Sequence, residues 1–207
     1  MAKIKICGLR RIEDVEYVNC CKVDYAGFVF AKSKRQITKE QAQIFRKSLL
    51  PEIQSVGVFV NAPVKFVAEL LNEKIIDIAQ LHGDETKEYI ATLREHMKRG
   101  KVIKAIRVSS KESIEKSKQI DVDYLLFDTY SAKEYGGTGK TFDWTLLDNV
   151  KKPFFLAGGI DSENVQEAIR RVQPFAIDVS SAVETGGWKD ESKIQNIVKK
   201  VREIYTF

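Results

Sequence analysis

The chain has 207 residues, 43% hydrophobic and 30% charged, with 34 Lys+Arg against 29 Asp+Glu and a formal net charge of +5. That supplies one hydrophobic core. The basic excess, densest over Lys3, Lys5, Arg10, Arg11, Lys32, Lys34 and Arg35, is too dispersed for a nucleic-acid stripe but suits a substrate with several negative charges.

In chain order, short apolar runs alternate with charged stretches of helical period. The run Lys3–Cys7 (KIKIC) is followed by a first helix carrying Cys20 and Cys21. With Cys7 these make an odd count of three cysteines, two of them adjacent, which argues against a disulfide framework and for a reducing, cytoplasmic setting. The start MAKIKICGLR lacks a secretory apolar stretch, and no run is long enough to span a membrane. Residues 25–30 (YAGFVF) form the second run. Thr38 then caps a helix over 38–49, with Ala42, Phe45 and Leu49 on one face. After the third run (56–60), Pro63 fits the first turn of a helix through Val67, Leu70 and Leu71. Runs at 75–81 and 102–108 follow. The Ser/Lys-rich connection 109–122 predicts an abbreviated fifth helix. Runs at 124–128, 154–158 and 175–181 complete the set, with helices at 162–172 and 191–204.

Runs apolar almost throughout read as parallel strands buried on both faces. Eight strand–helix units without a dinucleotide fingerprint after the first strand predict an α/β fold of the (β/α)8 TIM-barrel class, one domain over 1–207. Its site should lie where the strands end. Reactive residues cluster there: Cys7 at the first strand, Lys34 and Arg35 after the second, Asn61 at the third, and Gln80 and His82 at the fourth. Arg107 follows at the fifth, Asp128 at the sixth, and Asp178 in the eighth. Cys7 alone would read as core filler; its place at a strand end, followed at once by Gly8, marks it out. Asp178, inside an apolar strand, reads equally as a structural acid or a site residue. Small residues gather after strands six to eight: Gly136, Gly137, Thr138 and Gly139, then Gly158 and Gly159, then Ser180 and Ser181. Backbone amides there can approach a phosphate closely. The segment Gly139-Lys140-Thr141 is not a P-loop, because Glu134 occupies the required glycine position. With His82 and His96 far apart, no metal site is expected.

The motifs KICGL, GFVF with SKR, VGVFVN, QLHGDE, YGGTGKTFDW, LAGGI and DVSSAVE run from the first strand to the last helix. Together they resemble the phosphoribosylanthranilate isomerases of tryptophan biosynthesis. The resemblance implies a (β/α)8 barrel that performs an Amadori rearrangement of N-(5-phosphoribosyl)anthranilate to 1-(2-carboxyphenylamino)-1-deoxyribulose 5-phosphate, without metal or organic cofactor. It implies Cys7 as general base, Asp128 as general acid and Arg35 on the anthranilate carboxylate. Gln80, His82 and Asp178 are the further substrate contacts expected at the strand ends. Gly137, Thr138, Gly139, Gly158, Gly159, Ser180 and Ser181 would hold the phosphate. The expected partner is the small phosphosugar alone, with no nucleic acid or membrane, for a monomer or homodimer. Two positions depart from the family pattern: Ala182 replaces a usual glycine and Ala31 a commoner proline. The chemistry asks Cys7 for a thiolate, so a positive charge near that sulfur would help.

Overall fold

Every apolar run becomes a strand: β1 (Lys3–Cys7), β2 (Tyr25–Val29), β3 (Gln54–Phe59), β4 (Ile78–Leu81), β5 (Lys101–Val108), β6 (Tyr124–Thr129), β7 (Phe154–Leu156) and β8 (Ala176–Val179). Each pairs in parallel with the next, and β1 closes onto β8 in the register Lys3↔Ala176 to Ile6↔Val179, so the sheet is a closed eight-stranded barrel. The computed structural model describes residues 1–129 and 142–204. Among these, seven α-helices surround the barrel: α1 (Ile12–Cys20), α2 (Lys39–Ser48), α3 (Val64–Asn72), α4 (Lys87–His96), α5 (Lys111–Ser117), α6 (Val165–Val172) and α7 (Glu191–Glu203). None of the described helices is long and apolar enough to cross a membrane.

Local chemistry sets most boundaries. The Thr38 hydroxyl accepts from the Gln41 amide while the Gln41 side chain accepts from the Thr38 amide, a reciprocal cap that starts α2. Pro63 stands at the cap of α3, one residue earlier than the sequence suggests, with helical φ already set at −58°. The fourth strand begins only at Ile78. Ile75 and Ile76 instead fold back, their amides donating to the Leu70 carbonyl, and Lys74 takes the left-handed conformation that reverses the chain. α5 has seven residues, short as expected. The sixth connection is shorter still among the described residues: one 3-10 turn, Trp144–Leu147, capped by Asp143. Pro153 stops any continuation before β7.

Strand alternation sorts the side chains into two compartments. Residues such as Ile4, Ile6, Leu125, Phe127, Ile177 and Val179 point outward and pack under the helices. Tyr25, Val56, Ile78, Ile103, Tyr124, Leu126 and Phe155 point inward and fill the barrel. Continuing each inward series toward the C-terminal ends changes its chemistry. Tyr124 and Leu126 lead to Asp128, Ile78 to Gln80 and His82, Ala176 to Asp178 and Ser180, and β1 contributes Lys5 and Cys7. The interior is therefore apolar below and polar above.

Candidate active site

The polar inward residues surround a cavity of about 650 Å³ at the C-terminal end of the barrel. Its lining includes Cys7, Arg35, Gln80, His82, Asp128, Asp178, Gly158, Gly159, Ser180 and Ser181. These are all the residues given a catalytic, substrate or phosphate role from the sequence that fall among the described ones. Gly137, Thr138 and Gly139 lie outside the described residues. Three other strand-end residues serve the walls instead. The Lys34 carbonyl accepts from Arg10, Arg107 pairs with Asp84, and Asn61 holds the Asp84 and Glu85 turn through its side chain and amide.

On the β4–β6 side, Asp128 is buried and its Oδ1 accepts from the Thr129 amide at 2.8 Å. His82 Nε2 lies 3.3 Å from Asp128 Oδ2, close in distance but off-line for a hydrogen bond. The Gln80 amide nitrogen sits 3.0 Å from His82 Nδ1, an arrangement in which Nδ1 accepts and Nε2 carries the hydrogen toward the carboxylate. Gly158 closes the floor under the acid. It has φ +81°, and a Cβ there would meet Thr129 N at 2.4 Å and Asp128 Oδ1 at 2.6 Å. Only glycine permits both that conformation and that approach.

On the β8–β1 side, Cys7 is buried beside two lysines. The Lys5 ammonium donates to Asp178 Oδ2 at 2.8 Å, from a side chain with no solvent exposure. Lys189 Nζ donates to the Ser180 carbonyl at 2.9 Å and to Glu184 Oε1 at 2.8 Å. Burial pushes the Cys7 thiol up, against the opposing pull of Lys5 and Lys189, and Asp178 adds to the push. The positive charge that the sequence reading asks for is present, but desolvation outweighs it. Burial also drives Lys5 toward its neutral form, yet Asp178 and Cys7 outweigh this and raise it. For Lys189 burial prevails and the ammonium is lowered.

Arg35 reaches over the mouth with its stem against Gly8. Its Nε and Nη2 grip Glu184 Oε1 and Oε2 at 2.7 and 2.8 Å, a bidentate fork. Burial alone would raise the Glu184 carboxyl; hydrogen bonds and charge from Arg35 and Lys189 bring it down to about 2. Glu184 and Lys189 belong to a small antiparallel pair, β9 (Glu184–Thr185) and β10 (Trp188–Lys189). Ala182 lies in the 3-10 turn Ser181–Val183 outside the left-handed region, so the methyl at this family-atypical position is unstrained. It and Ala31 both line the cavity.

Lys5 and Glu184 were not among the residues the sequence pointed to. Lys5 figures in the sequence only as one charge of the basic cluster at the chain's start; the structure shows it wholly buried. The missed signal was its phase: it lies two residues before Cys7, hence on the same face of β1. Among the described residues, no group of three or more His, Cys, Asp or Glu side chains could hold a metal ion.

Residues 4–200 match the family model described as N-(5'phosphoribosyl)anthranilate (PRA) isomerase. The chain is 52% identical over 206 residues to the N-(5'-phosphoribosyl)anthranilate isomerase of Thermoanaerobacter pseudethanolicus, covering 99% of this chain and 100% of that one. Its structure is similar to that of phosphoribosyl anthranilate isomerase from Thermotoga maritima, with TM-score 0.89, 36% identity and coverage of 98% and 100%. A second similar structure, of an isomerase in complex with reduced 1-(o-carboxyphenylamino)-1-deoxyribulose 5-phosphate, has TM-score 0.85 at 34% identity over 98% of this chain and 100% of that one. The T. maritima protein is a dimer from which monomers have been generated.

Proposed function

The chain belongs to the N-(5'-phosphoribosyl)anthranilate isomerase family, and we propose that it carries out its reaction with Cys7 as general base and Asp128 as general acid. The enzyme catalyses the Amadori rearrangement of N-(5'-phosphoribosyl)anthranilate to 1-(2-carboxyphenylamino)-1-deoxyribulose 5-phosphate in tryptophan biosynthesis. The observation that carries the role assignment is the shared cavity. A thiol from β1 and a carboxyl from β6 both line it, separated around the barrel by β7 and β8.

Asp128 gives its proton to the furanose ring oxygen. The C1–O bond breaks, and the anilino nitrogen lone pair forms a C1–N iminium. The Cys7 thiolate then removes the proton at C2. S–H forms, the C2 electron pair becomes the C1–C2 double bond, and the iminium nitrogen is neutralised. The resulting enolamine gains a proton at C1 and loses one from the 2-hydroxyl to give the ketose. Each proton transfer needs a group on its own side of the sugar. The Thr129 amide orients the acid.

Three buried polar atoms of cavity-lining residues have no hydrogen-bond partner: Gln80 Oε1, His82 Nε2 and Asp178 Oδ1. Buried polar atoms are nearly always paired, so these are the groups that the sugar hydroxyls would satisfy. Gly158, Gly159, Ser180 and Ser181, beside the start of α6 and the 3-10 turn, suit the phosphate. Arg35 suits the anthranilate carboxylate, competing with or extending its fork on Glu184. The whole chain works as one domain in the cytoplasm, as a monomer or homodimer, on a small phosphosugar and without a cofactor. Conversion of phosphoribosylanthranilate by the purified chain in the presence of chelator tests this reading. Full turnover is expected, and a requirement for added metal would contradict it. Arg35→Ala should chiefly raise KM.

A further inference from the structure

The reaction as written uses a thiolate, yet burial alone works against one at Cys7. What opposes burial can be read from the groups packed around the sulfur. On β1, Lys5 shares the inward face with Cys7. On β8, the facing residue Asp178 is the register partner of Lys5, and the Ser180 hydroxyl donates to the Cys7 carbonyl at 3.0 Å. On β2 the register partner of Cys7 is Gly27, which brings no charge. On β10, Lys189 approaches with its own counter-ion Glu184, itself shared with Arg35.

Lys5 differs from Lys189 in its surroundings. Lys189 spends its charge on Glu184 and its hydrogen bonds on Glu184 and the Ser180 carbonyl. Lys5 has one carboxylate oxygen, Asp178 Oδ2, as acceptor, and it lies two residues before Cys7 on the same inward face of β1, so its charge acts on the sulfur. A largely buried lysine–aspartate pair adds little net stability over apolar residues of equal volume. Its effect falls on the third charge beside it.

We propose that Lys5 is a positioning residue for the base: clamped by Asp178, its ammonium offsets part of the cost of ionising the buried Cys7 sulfur and so favours the anionic form that takes the C2 proton. This rests on the reading of Cys7 as the base, and the two can fail separately. The ammonium keeps its protons throughout; only the C2 proton moves, to sulfur. Lys5 touches no reacting atom of the sugar. Its role is to stabilise one charge state of a neighbour whose position the strand already fixes.

The test is the rate of Cys7 alkylation by iodoacetamide between about pH 6 and about pH 10. It is followed peptide by peptide in wild type and Lys5→Met, with the remote Cys20 and Cys21 as internal controls. In Lys5→Met, the Cys7 midpoint should rise by about one pH unit and the rate at about pH 8 should fall about tenfold. The value of kcat should fall by a similar factor with KM little changed, while the Cys20 curve stays in place. An unmoved Cys7 curve in folded Lys5→Met overturns the proposal even if turnover falls. Near wild-type turnover in Cys7→Ala would instead remove the base assignment itself. If Lys5→Met leaves Asp178 unpaired and does not fold, Lys5→Met/Asp178→Asn is compared with Asp178→Asn. The same upward displacement is expected there, and its absence overturns the proposal.

Discussion

The two ends of the barrel interior are built from the same strands but obey different rules. At the N-terminal end, Phe155 packs edge-on against Tyr25 and Tyr124 with ring centroids 5.3 and 5.6 Å apart, and Tyr124 stacks on Phe175 at 4.8 Å. Lys3 and Lys101 cover these rings from outside, within 5.6 Å of a ring centroid. At the C-terminal end the same inward positions carry Lys5, Cys7, Gln80, His82, Asp128 and Asp178, three of them with polar atoms left unsatisfied by the protein. Close aromatic packing stabilises without selecting a ligand. Unsatisfied buried groups destabilise but prepare a ligand's partners. The comparison teaches that stability and chemistry are separated along each strand by only two to four residues.

The separation can be broken most sharply at the top. Cys7→Ala and Asp128→Asn should each lower kcat by about 10²–10⁴-fold, with the fold and affinity for a product analogue retained in binding measurements. Gly158→Ala should come next. A side chain there would press on Asp128 and Thr129, and displacing the acid by about 1 Å should lower turnover by up to about 10²-fold. Steady-state rates at saturating substrate would show this. At the bottom, Phe155→Ala should remove about 3–5 kcal/mol of stability through the cavity it leaves. In denaturant unfolding the midpoint should drop, while kcat per folded molecule holds.

A finer contrast comes from pH. The Glu184 carboxyl, held at about 2 in the folded protein against an ordinary value of 4.5, binds protons more weakly folded than unfolded. Its stabilising contribution is therefore complete above about pH 4.5 and is lost as pH falls toward 2. Glu184→Gln should flatten this acid limb in thermal melts between those values. The smallest effect is expected far from both ends. Thr38→Ala, which removes the α2 cap, should lower stability by about 1 kcal/mol with no change in kcat or KM.

Much of this contrast was legible in the residues. Eight apolar runs gave eight strands because parallel strands buried on both faces leave so plain a signature. Cys7, Asp128, His82 and Asp178 could be placed at one mouth because barrel topology fixes which strand ends share it. The segments that differed did so for local reasons. Ile75 and Ile76 read as strand but serve to seal the end of α3, since burial alone does not distinguish a strand from a packed turn. Lys5 entered only as one charge of the basic cluster, because lysine is rarely buried; its phase with Cys7 was the signal that places it inside. The grip of Arg35 on Glu184 joins residues 149 positions apart in sequence, a pairing that no local pattern encodes.

The central claim is that one thiol and one carboxyl address the two ends of the same bond rearrangement. A crystal structure of this protein with reduced 1-(o-carboxyphenylamino)-1-deoxyribulose 5-phosphate tests it most directly. The account predicts Cys7 Sγ about 3–3.5 Å from C2 and an Asp128 oxygen within hydrogen-bond reach of the 4-hydroxyl, the former ring oxygen. A bound sugar with either side chain turned away from those atoms would contradict it.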